Sequence, residues 1–242
     1  VLKGKSNFSV DELPKRIIRV FDEVILHKKV ASGKRKSAGI LHALVMYGFI
    51  FFGLITINHF GMAFGFPIFS ESFRHTYFLI FGAPWAILCT IGILGLAYRR
   101  FVIKPEALGK FSSTSALVSV FIVTLMTTYL IDELHILTGA AEKFNWWLHS
   151  GVIGGFLFLI PQSKHMHLVL SPFNIFLRPF EVPNHGAIPI DMEASEEELD
   201  NLLLDLSRLS KDQALDIFTC VECGRCTDVC PANRGGGILD PK

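Results

Sequence analysis

Apolar residues run almost unbroken through four windows of this chain, residues 38–60, 77–98, 113–136 and 146–169. Polar residues gather between the windows and at both ends. A helix needs about 20 mostly apolar residues to cross the hydrocarbon core of a bilayer. Each window is long enough, and each is predicted to be helical, because lipid offers no partner to a free backbone N–H or C=O. Upstream, Leu13, Ile17, Val20 and Val24 recur at helical spacing, with Lys15, Arg16 and Arg19 supplying positive charge. This pattern predicts an amphipathic helix over residues 10–28 that lies on the membrane surface. Downstream, Pro172, Pro179, Pro183 and Pro189 interrupt any regular element and predict an extended linker. Ser195-Glu196-Glu197-Glu198 is a capping box opening a short acidic helix to Leu209, read as a solvated face. Ser210-Lys211-Asp212-Gln213 repeats that pattern and starts the helix leading to Cys220.

Charge orients the spans. Lys34, Arg35 and Lys36 precede the first; Arg99, Arg100, Lys104 and Lys110 lie between the second and third; Lys164 and Arg178 flank the end of the fourth. The other two connections carry only Arg74 and Lys143, beside Glu71, Asp132, Glu133 and Glu142. The positive-inside rule therefore puts both ends of the chain in the cytoplasm. The expected organisation is a cytoplasmic amphipathic helix (1–36), a transmembrane bundle (37–172), a linker (173–192) and the start of a cytoplasmic domain carrying a cysteine run (193–242). Half of the 242 residues are hydrophobic, which excludes an ordinary soluble domain. The net charge of +1 gives no reason to expect a nucleic-acid partner. The chain begins at Val1 without a signal-peptide pattern and stops soon after a cysteine cluster, so both ends read as cuts in a longer polypeptide.

Four of the five cysteines fall within eleven residues, and Cys89 stands alone in an apolar window. The run Cys220-Val-Glu-Cys223-Gly-Arg-Cys226-Thr-Asp-Val-Cys230-Pro231 has the C-x2-C-x2-C-x3-C-P spacing of a ferredoxin-type cluster motif. Such spacing lets thiolates wrap a [4Fe-4S] cube, with Gly224 giving the tight turn. Zinc sites usually pair two C-x-x-C units across a longer loop, so zinc is the weaker reading. In two-cluster ferredoxins the fourth cysteine serves the other cluster. Cys230 would then reach a second cube whose motif lies beyond Lys242; otherwise all four bind one cluster.

Histidine is costly inside a membrane and its presence there points to function. His42 and His59 lie in the first window, and His149, His165 and His167 in the fourth. A helix turns about 100° per residue, which places His149 and His167 on one face and His165 nearly opposite. Opposed helix directions then give two bis-imidazole candidates for b-type haem, an inner pair His42–His167 and an outer pair His59–His149. Helical rise separates the two levels by about 25 Å. That is long for fast exchange between two irons, and it leaves His75 and His135 as alternatives to His59.

Further residues carry a resemblance. Trp146-Trp147-Leu148-His149, Ile160-Pro161-Gln162-Ser163-Lys164-His165-Met166-His167 and Ser171-Pro172-Phe173-Asn174 resemble the last haem-bearing helix of nitrate reductase gamma-subunit-like cytochromes b. Gly39-Ile40-Leu41-His42 with Tyr47-Gly48-Phe49 resembles the first haem-bearing helix of one branch of that group. The branch comprises membrane-bound iron–sulfur oxidoreductases related to heterodisulfide reductase and electron-transfer-flavoprotein:menaquinone oxidoreductases. The stretch Cys220 to Pro231 is similar to their cluster-binding segment. The resemblance implies an all-α membrane protein: four helices here, five in the full-length protein, followed by a ferredoxin-like iron–sulfur segment. It also implies two b haems, two cubane clusters, menaquinone as substrate and a cytoplasmic donor such as electron-transfer flavoprotein. The expected location is a bacterial or archaeal cytoplasmic membrane. A heterodisulfide-reductase-like enzyme and a non-catalytic membrane electron-relay subunit are the alternatives.

Overall fold

The computed structural model describes residues 10–32, 35–109, 111–180, 193, 195 and 211–237. Among these residues the regular structure is entirely helical. The elements are α1 (Leu13–Val20), α2 (Lys36–Ala63), α3 (Glu71–Tyr77), α4 (Ala83–Tyr98), α5 (Ser113–Glu133), α6 (Ala140–Leu159), α7 (His167–Leu177), α8 (Lys211–Thr219), α9 (Arg225–Val229) and α10 (Pro231–Arg234). The ferredoxin-like segment expected around the cysteines is thereby overturned. No strand is found among the described residues, and the motif folds as short helices. The linker and the acidic helix fall mostly outside the described residues.

Two compact units divide the chain: Val1–Lys28 with Ile160–Glu222, and Lys29–Leu159 with Cys223–Lys242. In the second, three helices are long and apolar enough to cross a membrane: Lys36–Met62, Glu71–Ile103 and Ser113–Glu133. The middle one joins α3 and α4 through a wider π turn over Phe78–Gly82. Pro84 follows immediately and offers no N–H, so local widening preserves the helix direction. The fourth expected span is not one continuous helix. α6 stops at Leu159, residues 160–163 form a turn containing Pro161, a 3-10 turn covers Lys164–Met166, and α7 begins at His167. Facing arithmetic between His149 and His167, which assumed unbroken helix, therefore does not apply.

Small residues bring these helices together. A Cβ at Gly48 of α2 would stand 2.8 Å from the Cys89 Cβ of α4. One at Gly92 would meet the Leu41 carbonyl oxygen at 2.7 Å, and one at Gly155 of α6 would meet Phe121 of α5 at 2.9 Å. Phe78, Ala86, Cys89, Met126 and Tyr129 form the buried core. Cys89 is thus a packing residue facing a glycine. Large apolar side chains such as Ile57, Ile87, Leu94 and Val120 point outward and stay exposed, as lipid-facing positions do. Asn58 is fully buried; its Oδ1 accepts from the backbone N–H of Ile68 (3.0 Å) and Phe69 (2.8 Å), folding the loop back under the end of α2.

In the first unit α1 packs on α7, and α7 on α8. Asn174 of α7 donates to Thr219 (2.7 Å) and Asp216 (2.8 Å) of α8. The charged residues of α1 do not all face water. Arg16 is fully buried and donates to the carbonyls of Phe176 (2.8 Å) and Arg178 (3.2 Å). Arg19 donates to the Arg178 carbonyl at 2.5 Å, and its guanidinium lies 3.5 Å from the centre of the Phe180 ring. Burial first, and the Arg178 charge next, lower the Arg19 pKa from its ordinary value.

Candidate functional site

A cavity of about 530 Å³ opens between α2, α5 and α6. This size lies within the range of small-molecule and cofactor pockets. His59 and His149 both line it, with Thr128, Tyr129, Asn145 and Trp146 among its other walls. The outer pair of histidines therefore shares one chamber. His75 and His135, the alternatives to His59, are exposed and are not among its walls.

The orientation of His149 has a specific cause. Thr128 Oγ1 lies 2.7 Å from the Thr124 carbonyl, where its single proton is donated. The same oxygen is 2.7 Å from His149 Nδ1 and must accept there. His149 thus carries its proton on Nδ1 and keeps the Nε2 lone pair available. Outer hydrogen bonds of this kind fix a ligating imidazole. Asn145 Nδ2 donates to the Thr128 carbonyl at 2.9 Å, holding the same turn of α5 against α6. Thr128 and Asn145 were not singled out from the sequence. Asn145 offered a signal, as an amide at the edge of the apolar window 146–169; Thr128 offered none.

The glycines divide into two groups. Gly48 and Gly155 serve close packing, whereas a Cβ at Gly53, Gly151 or Gly154 would meet nothing within 4 Å. Gly154 lines the cavity, so its missing side chain adds room there. At the rim, Arg74 reaches both carboxylate oxygens of Glu133 (2.8 and 3.0 Å) and Glu71 (2.8 Å).

The inner candidates lie on different units and are described separately. His42 is half-buried on α2. His167 donates from Nδ1 to the Lys164 carbonyl at 2.8 Å, which leaves its Nε2 as the acceptor nitrogen. His165 has its Nδ1 3.2 Å from Ser163 Oγ.

Cys220, Cys223, Cys226 and Cys230 are all free thiols. Cys220 and Cys226 are exposed, Cys223 and Cys230 half-buried. Left-handed backbone at Glu222 (φ 51°) and Gly224 (φ 73°) turns the chain tightly on both sides of Cys223. Cys230 is extended and Pro231 opens α10. Among the described residues, no group of three or more His, Cys, Asp or Glu is gathered to hold a metal ion. The donor set suits an iron–sulfur cluster in kind: thiols on a short, tightly turning backbone, none of them spent in a disulfide.

The described residues thus combine three helices long and apolar enough to cross a membrane with a C-x2-C-x2-C-x3-C-P run of free cysteines. The chain is 31% identical over an alignment 259 positions long to "Probable iron-sulfur-binding oxidoreductase FadF" of Bacillus subtilis, covering 93% of this chain and 36% of that protein. It is 24% identical over an alignment 253 positions long to "EtfAB:quinone oxidoreductase" of Syntrophomonas wolfei, covering 86% of this chain and 34% of that protein. The chain spans about a third of the length of these curated relatives. It is related at the family level to iron–sulfur-binding oxidoreductases of the EtfAB:quinone oxidoreductase type. No family model and no solved structure matches it.

Proposed function

We propose that this chain is the membrane electron-transfer segment of a quinone-linked oxidoreductase, passing electrons between a cytoplasmic donor, [4Fe-4S] clusters, b-type haems and menaquinone. The observation that carries this reading is the shared chamber of His59 and His149, with His149 Nδ1 engaged by Thr128. His59 and His149 would hold one haem, His42 and His167 a second, and Cys220, Cys223, Cys226 and Cys230 the cluster ligands. When bound, these groups supply one-electron carriers spaced across the membrane. The chain's own part is positional. Thr128 sets the His149 ring, Asn145 holds the helix turn beneath it, Gly154 leaves space for a flat group, and Trp146 and Tyr129 line the chamber. The relationship to an EtfAB:quinone oxidoreductase supports an electron-transfer flavoprotein as the cytoplasmic donor. A multi-pass location in a bacterial or archaeal cytoplasmic membrane, with the cysteines on the cytoplasmic side, follows from the lysine and arginine distribution.

The test is a reduced-minus-oxidised spectrum of purified protein with pyridine haemochrome quantitation. Two b haems per chain are expected, with His149→Ala and His167→Ala each losing one. Absence of b-type haem from the wild type, or full haem content in both variants, rejects the reading.

A further inference from the structure

Arg35 stands just ahead of α2, far in sequence from the cysteine run, yet its side chain is committed to that run. Nη1 donates to the Cys223 carbonyl, Nη2 lies 3.4 Å from the Gly224 carbonyl, and the same nitrogen pairs with Asp228 Oδ2 at 2.5 Å. The guanidinium is largely buried, with 14% of the side chain exposed. A second strut comes from the other direction, where Arg225 Nη2 donates to the Val30 carbonyl at 2.6 Å. The helix that carries Cys226, α9, also packs on the 3-10 turn Glu106–Leu108. Cys223 and Cys226 are therefore held by the ends of the membrane helices and not by a surrounding sheet.

From this geometry we infer that Arg35 is the positioning residue of the iron–sulfur turn and a determinant of its cluster's reduction potential. The inference rests on the assignment of these cysteines as cluster ligands. Two effects combine. A planar guanidinium grips two successive carbonyls and a carboxylate at once, which an ammonium cannot reproduce. It also places a permanent positive charge, screened little by water, against the backbone of a ligand. Net local charge is one of the levers on cluster potential, and a nearby cation favours the more negative reduced state. Arg99 interacts with Arg35, Arg225 and Asp228, so the Arg35–Asp228 pair has two further cations close by. Arg35 supports the reduced cluster and Asp228 opposes it.

The opposite signs provide the test. EPR redox titration of the full-length membrane protein follows the cluster signal that Cys223→Ser removes. Arg35→Gln should shift that signal's midpoint to more negative potential, lowering the reduced-to-oxidised ratio at fixed poise about tenfold, which is about 59 mV for a one-electron couple. Asp228→Asn should shift it the other way, and Arg35→Lys should recover most of the potential while leaving a broadened signal. Unchanged potentials in both Arg35→Gln and Asp228→Asn, with the cluster retained, overturn the role of Arg35 and leave the cysteine assignment standing. Wild-type protein with neither iron nor sulfide removes that assignment and this inference with it. If Arg35→Gln does not retain a cluster, the direction of the Asp228→Asn shift decides: upward supports the charge role, no shift rejects it.

Discussion

Thr128 shows how much a single hydroxyl can decide. Hydroxyls in apolar helices routinely donate to the carbonyl one turn back, as Thr56 does to Phe52, Thr90 to Ala86 and Ser119 to Ser115. Thr128 does the same and then uses its lone pair for His149. Replacing it with valine keeps the shape and removes the acceptor, so the imidazole loses its fixed tautomer. Loss of such an outer contact typically weakens metal-group binding about 10–100-fold. Thr128→Val should therefore release haem from the outer site in a dilution or apomyoglobin-capture assay, and Thr128→Ser should retain it. Wild-type haem retention in the valine variant rejects the role. The histidines stood out in the sequence because an ionisable ring in an apolar window is conspicuous. Thr128 did not, because its sequence context is the same as that of the hydroxyls that serve only their own helix. Which hydroxyl meets a histidine depends on how α5 and α6 register, and that is a property of packing.

At the scale of elements, α1 was legible as an amphipathic helix, but the partners of its arginines were not. The structure turns Arg16 and Arg19 inward because the end of α7 presents carbonyls that lack helical partners. Guanidinium donors satisfy these and complement the negative end of the helix. Meanwhile Ile17 and Ile18 are left more than half exposed. Arg16→Leu should cost about 1.5–3 kcal/mol for each charged hydrogen bond lost. The loss should appear as faster amide exchange at the end of α7, and unchanged exchange there contradicts the clamp. The cysteine segment failed for a related reason. Ligand spacing fixes how thiols can approach a cluster, not the secondary structure around it. Lys211–Thr219 forms the helix that the Ser210-Lys211-Asp212-Gln213 pattern placed ahead of Cys220, and Pro231 favours a first helical turn after Cys230, so the run is flanked by helices. The break after α6 was visible as Pro161, but the uniformly apolar window around it masked its effect.

The whole molecule sets a constraint that no single helix states. Arg74 bonds Glu133, so the start of α3 and the end of α5 lie at one end of the second unit. Arg35 bonds the turn after Cys223, and the turn between α4 and α5 packs on α9, so the cysteines after Glu222 lie at the other end. On the proposed membrane reading, the three helices long and apolar enough to cross leave the chain at the Glu133 end, and it must return. α6 supplies the path. As it advances from His149 to Gly155, its partner on α5 moves back from Thr128 to Phe121, which makes the two helices antiparallel. Its 20 residues reach about 30 Å, the thickness of a hydrocarbon core. Polar Glu142, Lys143 and Asn145 near its start reduce its apolar character without shortening it. A fourth crossing by α6 therefore predicts a labelling pattern for single cysteines at three exposed positions. An impermeant maleimide should label Thr138→Cys in intact cells. It should label Glu106→Cys and Gln162→Cys only after the membrane is opened, above the background of the parent protein. Labelling of Gln162→Cys in intact cells, with Glu106→Cys still protected, would show that α6 does not cross.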